Sequence, residues 1–295
     1  MAMSHLFCFG PGFVATRLAR TLQADGWRTS GTVRDAAKRA ALEEIGIAPV
    51  PFDGTAPLGA GALEGVTHIV LSVPPGADGD PVLRHHAEIL AGLETLEWVG
   101  YLSATSVYGD SGGALVDEEA PLRATTERGK RRIAAERDWL SLCANRGVPV
   151  HVFRLAGIYG PGRSPLAALR AGTARRVGAP GHLFSRIHVD DIVAVLLASI
   201  ARKRPGAVYN VCDDAPAESA EVTEFAAGLL GIDPPPLVPL EEAKLSPMAR
   251  SFYRDKRLVD NSRIKSELGI DLLYPDYRAG LQGILEAEGT GTGEN

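Results

Sequence analysis

The chain has 295 residues, enough for a well-buried core and for either one large α/β unit or two lobes. A composition of 45% hydrophobic and 23% charged residues is that of an ordinary globular protein. The formal net charge of −5, with no dense Lys/Arg stripe, argues against nucleic acid as the main partner, and no apolar stretch reaches the ~18–20 residues that a membrane span needs.

From the N-terminus, residues 5–9 form an apolar run that suits a strand buried on both faces. A helix is predicted over 13–22, with Phe13, Val14, Leu18 and Leu22 at helical spacing. A second strand follows over 28–33, a helix over 36–44, and a short third strand over 48–52 that closes on Asp53. A fourth strand covers 67–73 and is stopped by Pro74 and Pro75. Then come a helix over 81–96, a fifth strand over 99–104, a long helix over 126–143 and a sixth strand over 148–155. Six strands alternating with helices predict an α/β fold: a Rossmann-type, doubly wound parallel sheet covered on both faces.

After Leu155 the rhythm breaks. Pro and Gly cluster at 160–165 and 178–181, followed by a helix over 190–201, a strand over 207–211, a helix over 220–230 and an extended connector over 232–239. This stretch reads as a smaller C-terminal α/β substrate lobe over the C-terminal edge of the sheet, where ligands of open α/β sheets bind. The expected division is a dinucleotide-binding core at 1–155, a substrate lobe at 156–287 interleaved with it, and a flexible Gly/Thr-rich tail at 288–295.

Between the first strand and first helix stands a G-x-G-x-x-A turn, Gly10 to Ala15. Gly10 lets the chain turn tightly, and Gly12 lets a pyrophosphate approach the backbone. Ala15 lets helix and strand pack closely. The N–H groups at the helix start, from Phe13 and Val14 onward, then face the phosphates. The plain alternative is a Gly-rich βα turn with no ligand. NAD-binding folds usually carry Asp or Glu after the second strand to hold the ribose 2′-OH. Here that place reads Thr32-Val33-Arg34, with Asp35 next. A guanidinium grips a 2′-phosphate, so Arg34 points to NADP(H), with NAD as the alternative; a surface pair with Asp35 is the competing reading. Ser72, Val73 and Pro74 are placed to line the ribose and pyrophosphate side. Cys8, Cys143 and Cys212 have no metal-ligand spacing, no metal is expected, and a reduced cytoplasmic location is the default.

Four segments in order carry a resemblance: Ser103-Ala-Thr-Ser-Val-Tyr-Gly109, Arg154-Leu-Ala-Gly-Ile-Tyr-Gly-Pro-Gly162, His188-Val-Asp-Asp-Ile192 and Tyr209-Asn-Val211. With the glycine turn they resemble the NAD(P)-dependent epimerase/dehydratase family, the extended and atypical short-chain dehydrogenases/reductases, over nearly the whole chain. Phe9 departs from the pattern, standing where the extended members carry their first glycine. The resemblance implies that Asp53 holds the adenine amino group, or else is a turn residue. It implies a Tyr four residues before a Lys on the long helix, and a Ser or Thr at the end of the fifth strand. The best match to the Tyr-Lys pair is Thr126 with Lys130, so the Tyr is missing. The hydroxyl position falls on Ala104, with Ser103 and Thr105 flanking it.

Lys130 is thus the expected ribose-binding cation and Ser103 or Thr105 the expected substrate contact, with Tyr108 and Tyr159 as alternative phenols or as packing residues. His188, Asp190 and Asp191 read as structure: an Asp capping a helix in a segment that the family uses to join its lobes. Arg254, Lys256, Arg257 and Arg263 could meet an acidic substrate group or form a solvated face.

The resulting expectation is an NADP(H)-dependent reductase or epimerase acting on a small hydroxyl- or carbonyl-bearing, sugar-like metabolite. The competing reading is a non-catalytic NADP(H)-binding sensor or regulator. A third reading takes catalytic groups from the C-terminal lobe. Beyond a small-molecule substrate, the expected partner is a second copy, docked through the helices at 81–96 and 126–143.

Overall fold

The computed structural model describes residues 3–290. In chain order its first half runs β1 (His5–Phe9), α1 (Phe13–Ala24), β2 (Arg28–Val33), α2 (Ala36–Glu44), β3 (Ala48–Pro51), β4 (His68–Leu71), α3 (Pro81–Ala91), β5 (Trp98–Ala104), β6 (Leu115–Val116), α4 (Glu127–Arg146) and β7 (Val150–Leu155). The second half runs β8 (Gly157–Tyr159), α5 (Pro165–Arg170), β9 (Arg176–Gly178), β10 (Leu183–Phe184), β11 (Arg186–His188), α6 (Val189–Ala201), β12 (Val208–Val211), β13 (Ala217–Glu218), α7 (Ser219–Leu229), β14 (Leu237–Pro239), α8 (Pro247–Phe252), β15 (Leu258–Val259), α9 (Ser262–Leu268) and α10 (Tyr277–Thr290).

Local chemistry accounts for the element ends. Asp35 caps α2 by accepting the Lys38 N–H, and Asp80 caps α3 with Pro81 in its first turn. Thr126 caps α4, which runs to Arg146, three residues beyond the expected Cys143, and is ended by Gly147 with φ +73°. Helix α3 stops at Ala91, short of the expected 96, because Gly92 closes it and the chain turns toward β5. Helix α6 starts at Val189, so Asp190 and Asp191 lie in its first turn and neither is the expected cap. Helix α10 carries the chain through Thr290, so the first residues of the expected tail are helical, and 291–295 lie outside the described residues.

Seven strands form the main sheet in the order β12-β7-β5-β4-β1-β2-β3. The pairings β1–β2, β2–β3, β1–β4 and β4–β5 are parallel. This is the mostly parallel Rossmann-like α/β sheet that the alternating pattern predicts. The chain winds outward from β1 to β3, then returns to β4 on the other side of β1. The winding direction therefore reverses between β1 and β4, the switch point at which such sheets bind ligands. The register pairs Phe9 with Leu71, which sets Gly10–Gly12 beside Ser72–Pro74.

Two compact units divide the chain. Among the described residues, unit 1 comprises 3–107, 126–154 and 193–209, and unit 2 comprises 108–125, 155–192 and 210–290. Unit 1 has a core of Phe7, Phe9, Ile69, Val99, Tyr101, Trp139 and Val152 with their neighbours. Unit 2 has its own core, in which Tyr159, Leu166 and Leu169 pack with Val222, Ala226, Tyr277, Leu281 and Ile284. Short two-stranded pairs complete unit 2: β8 with β11, β9 with β14, β10 with β13 and β6 with β15.

Candidate dinucleotide site

The glycine turn is held from two strands. Gly10 adopts φ +74°, and a Cβ there would lie 2.8 Å from Val73 Cγ2, so both its conformation and its neighbour require glycine. Its N–H donates to Thr32 Oγ1 of β2 at 2.8 Å. Pro11 packs over Gly31, where a Cβ would come within 3.0 Å of the proline ring. Gly12 is the extended N-cap of α1, and no side chain caps the helix there. A Cβ on Gly12 would meet only Ser72 Oγ at 3.6 Å and Gly10 O at 3.8 Å, so the backbone stays approachable. Ala15 is fully buried beneath the turn.

Phe9 has a physical role of its own. Its ring packs on Phe7 at 4.8 Å, on Phe52 at 5.7 Å and on His86 at 5.6 Å. A core aromatic thus stands where the extended pattern has glycine. Burial pushes the Cys8 thiol up to about 12, as expected of a small core residue.

A left-handed glycine followed by an unfilled Gly12 face at a helix start fits a pyrophosphate, because the dipole and backbone donors of a helix N-terminus favour negative charge. Around it, Arg34 is exposed at the end of β2. The pairing of Arg34 with Asp35 does not form, because Asp35 turns to the Lys38 N–H at 2.8 Å. Asp53 closes an exposed Asx turn, accepting both the N–H and the hydroxyl of Thr55 at 2.8 and 2.7 Å, which holds its carboxyl below the usual range. Ser72 and Val73 are half-buried and Pro74 is exposed.

The expected catalytic residues are not brought together. Ser103 is buried and its hydroxyl donates to Glu136 Oε1. Glu136 is also gripped by Arg154, with Nη2 at 2.9 Å and Nε at 3.1 Å from Oε2. The Ser103 hydroxyl thus belongs to a buried Ser–Glu–Arg network within unit 1. Thr105 is half-buried and opens a 3₁₀ turn, Thr105–Tyr108. Thr126 Oγ1 accepts the Gly129 N–H at 3.0 Å, which explains a Thr at this position as a helix cap. The Lys130 side chain is 59% exposed and pairs with Glu127 at 2.8 Å, away from the buried face of its helix.

That face carries Gly129, Ala135, Glu136, Trp139 and Leu142. Arg132 lies three residues past Gly129 and four before Glu136, and its Nη1 donates to Leu102 O of β5 at 3.0 Å. Arg132, not Lys130, is the cation of this helix that reaches the sheet. Counting back from Trp139 and Ala135 by helical spacing would have found it.

Unit 2 holds the alternative phenols. Tyr108 is buried and donates to Asn210 Oδ1 at 2.6 Å. Tyr159 is buried, donates to Asp276 O at 3.3 Å, and burial pushes its phenol well above the usual range. Asp191 accepts the N–H groups of Leu273 and Tyr274 at 2.7 and 3.1 Å. Asp190 pairs loosely with His188 at 3.8 Å. The three arginines of the basic set are already engaged: Arg254 and Arg257 with Asp255, and Arg263 with Glu118, Glu119 and Glu267. Among the described residues no group of three or more His, Cys, Asp or Glu could hold a metal ion, and no helix is long and apolar enough to cross a membrane.

The sequence model described as "NAD dependent epimerase/dehydratase family" matches residues 87–212. The chain belongs to that family. It is similar to Protein YeeZ of Escherichia coli (strain K12), at 28% identity over 287 residues, covering 93% of this chain and 97% of that protein. A functionally unknown conserved protein from Silicibacter pomeroyi DSS is 47% identical, with a TM-score of 0.89, 97% of this chain and 99% of that one being covered. The dTDP-glucose 4,6-dehydratase of Bacillus anthracis str. Ames, solved in complex with NAD, shares the fold at 17% identity and a TM-score of 0.77, with 97% of each chain covered.

Proposed function

We propose that this epimerase/dehydratase-family chain binds NADP(H) in unit 1 and uses it as a reductase or epimerase on a small hydroxyl- or carbonyl-bearing metabolite. The glycine turn at the start of α1, with Gly10 at positive φ and the Gly12 face unfilled, carries the reading. The Gly12 backbone and the first N–H groups of α1, from Phe13 and Val14, hold the pyrophosphate. Ser72, Val73 and Pro74 line its side. Arg34, exposed and not committed to Asp35, takes the 2′-phosphate. When bound, the dinucleotide supplies or accepts a hydride at its nicotinamide. Thr105, at the irregular end of β5, is the hydroxyl in this reading that is neither buried in a network nor used as a helix cap.

Calorimetric titration tests the cofactor. NADPH should bind more tightly than NADH, and Arg34→Ala should weaken NADPH by about 10–100-fold, ~1.4–2.8 kcal/mol, while leaving NADH nearly unchanged. Equal affinities that Arg34→Ala does not alter would overturn the NADP(H) assignment.

A second reading is a NADP(H) binder that turns nothing over. It is favoured by the engagement of Ser103, Thr126, Tyr108 and Tyr159 in structural bonds. A carbonyl substrate that oxidises NADPH stoichiometrically in the protein's presence separates the two: such oxidation excludes the pure binder, and its absence across sugar-like aldehydes and ketones supports it.

A further inference from the structure

Unit 2 contains an acid and a base that lie near each other without pairing. Asp213 follows β12 and is 3% exposed, and both carboxyl oxygens are buried with no hydrogen-bond partner. The Ala215 N–H leans toward the carboxyl without closing a well-formed bond. The turn around it is firmly tied: the Asp213 N–H donates to Arg186 O at 2.7 Å, and the Asp214 N–H to Pro275 O at 2.9 Å. Asp214 Oδ1 accepts from Asn261 and Lys265 at 2.7 and 2.6 Å. Arg186 is the opposite charge acting most on Asp213. Its Nη1 instead donates to Phe184 O and to Ala217 O, both at 2.8 Å. Those two residues face each other in the antiparallel pair β10–β13, so the guanidinium clasps the end of that ladder.

We propose that Asp213 and Arg186 form a proton-gated switch: with Asp213 protonated, Arg186 clasps β10 to β13, and with Asp213 ionised the carboxylate draws the guanidinium away and loosens that pair.

Ionisation releases one proton to solvent and leaves a buried carboxylate whose oxygens no hydrogen bond satisfies. Leaving such a charge unpaired in the interior is costly, so Arg186, the opposite charge acting on it, is the group it recruits. The charges around the carboxyl agree. Asp214 beside it and Asp276 from the segment before α10 oppose ionisation, Arg186 favours it, and burial outweighs them, pushing the acid up to about 8. Tyr159 of β8 and Cys212 before it are both driven upward by burial, as is Tyr277 facing Arg186, so they stay uncharged through this window. Burial lowers Arg186, which remains the cation of the cluster.

Two measurements on the full chain decide the matter. Carboxyl ¹³C shifts of Asp-labelled protein, followed from about pH 3 to about pH 10, should show an Asp resonance that Asp213→Asn removes and that titrates several units above ordinary Asp values. Hydrogen exchange of the 183–186 and 215–219 amides, corrected for intrinsic rate, should lose protection about tenfold between roughly pH 7 and 9 in the wild type and stay level in Asp213→Asn. An Asp213 resonance titrating near 4, or identical exchange profiles in both proteins, would overturn the switch. If Asp213→Asn does not fold, Arg186→Met removes both carbonyl bonds of the clasp, and its 183–186 amides should be as open at pH 7 as those of the wild type at pH 9; wild-type protection at pH 7 in that variant also overturns it.

Discussion

At Glu136, 1% exposed, one carboxylate receives the Ser103 hydroxyl and the Arg154 guanidinium, itself 4% exposed. Removing one member of such a pair leaves the other charge buried alone. Glu136→Ala should therefore destabilise unit 1 by about 3–5 kcal/mol in urea unfolding, and a loss under about 1 kcal/mol would show that water or a neighbour replaces it. A different residue-level effect sits under the sheet. Burial lowers both His68 and His151 to about 4. His151 Nε2 accepts the Arg204 N–H at 2.9 Å, a bond that the protonated ring cannot make. The folded values lie below the unfolded one, so this stabilisation is whole above about pH 6.5 and is lost as pH falls toward about 4. Wild type should lose stability across that range relative to the variant carrying His68→Gln and His151→Gln, by a few kcal/mol in order of magnitude. Parallel pH profiles would sink the assignment. Asp213 is present in both proteins and cancels from the difference.

Among the elements, α1 and α4 show what a helix start can decide. Gly10→Ala would place a Cβ 2.8 Å from Val73 at φ +74° and should both destabilise the fold by about 1–3 kcal/mol and weaken dinucleotide binding. Unchanged affinity in calorimetry would separate the turn from the ligand. Thr126→Ala should cost about 1 kcal/mol of stability through the lost cap on Gly129, and a neutral result would mean that Thr126 is not held as a cap. These same elements show what was legible in the sequence. The strand–turn–helix at 5–22 was, because glycines, an apolar run and helical spacing all act locally. Phe9, Ser103 and Glu136 were not, because their roles are set by partners far along the chain: Phe52 and His86 for the ring, Arg154 for the carboxylate. Lys130 matched a family spacing, yet the helix phase set by Trp139 turns Arg132 to the sheet instead. Asp191 looked like a cap because it precedes an apolar run, but its acceptors are spent on Leu273 and Tyr274, more than eighty residues away.

For the whole molecule, neither unit is a contiguous segment: the chain changes unit after Val107, Thr125, Arg154, Ile192 and Tyr209. Residues 193–209 return to unit 1, supplying most of α6 and the start of β12, and the buried Trp98 indole donates to Ser199 at 3.0 Å. A fragment of residues 1–155 would lack that edge strand and leave this donor orphaned. It should not give a cooperative urea transition; a fragment as stable as the full chain would show that the return segment is dispensable. The three tryptophans, Trp27, Trp98 and Trp139, all fall in unit 1. Intrinsic indole emission is thus a private optical channel of unit 1. Excited at the tryptophan band, the protein should report on nucleotide capture and on the melting of the main sheet while remaining blind to the tyrosine-only unit, whose proton switch must be followed by other means.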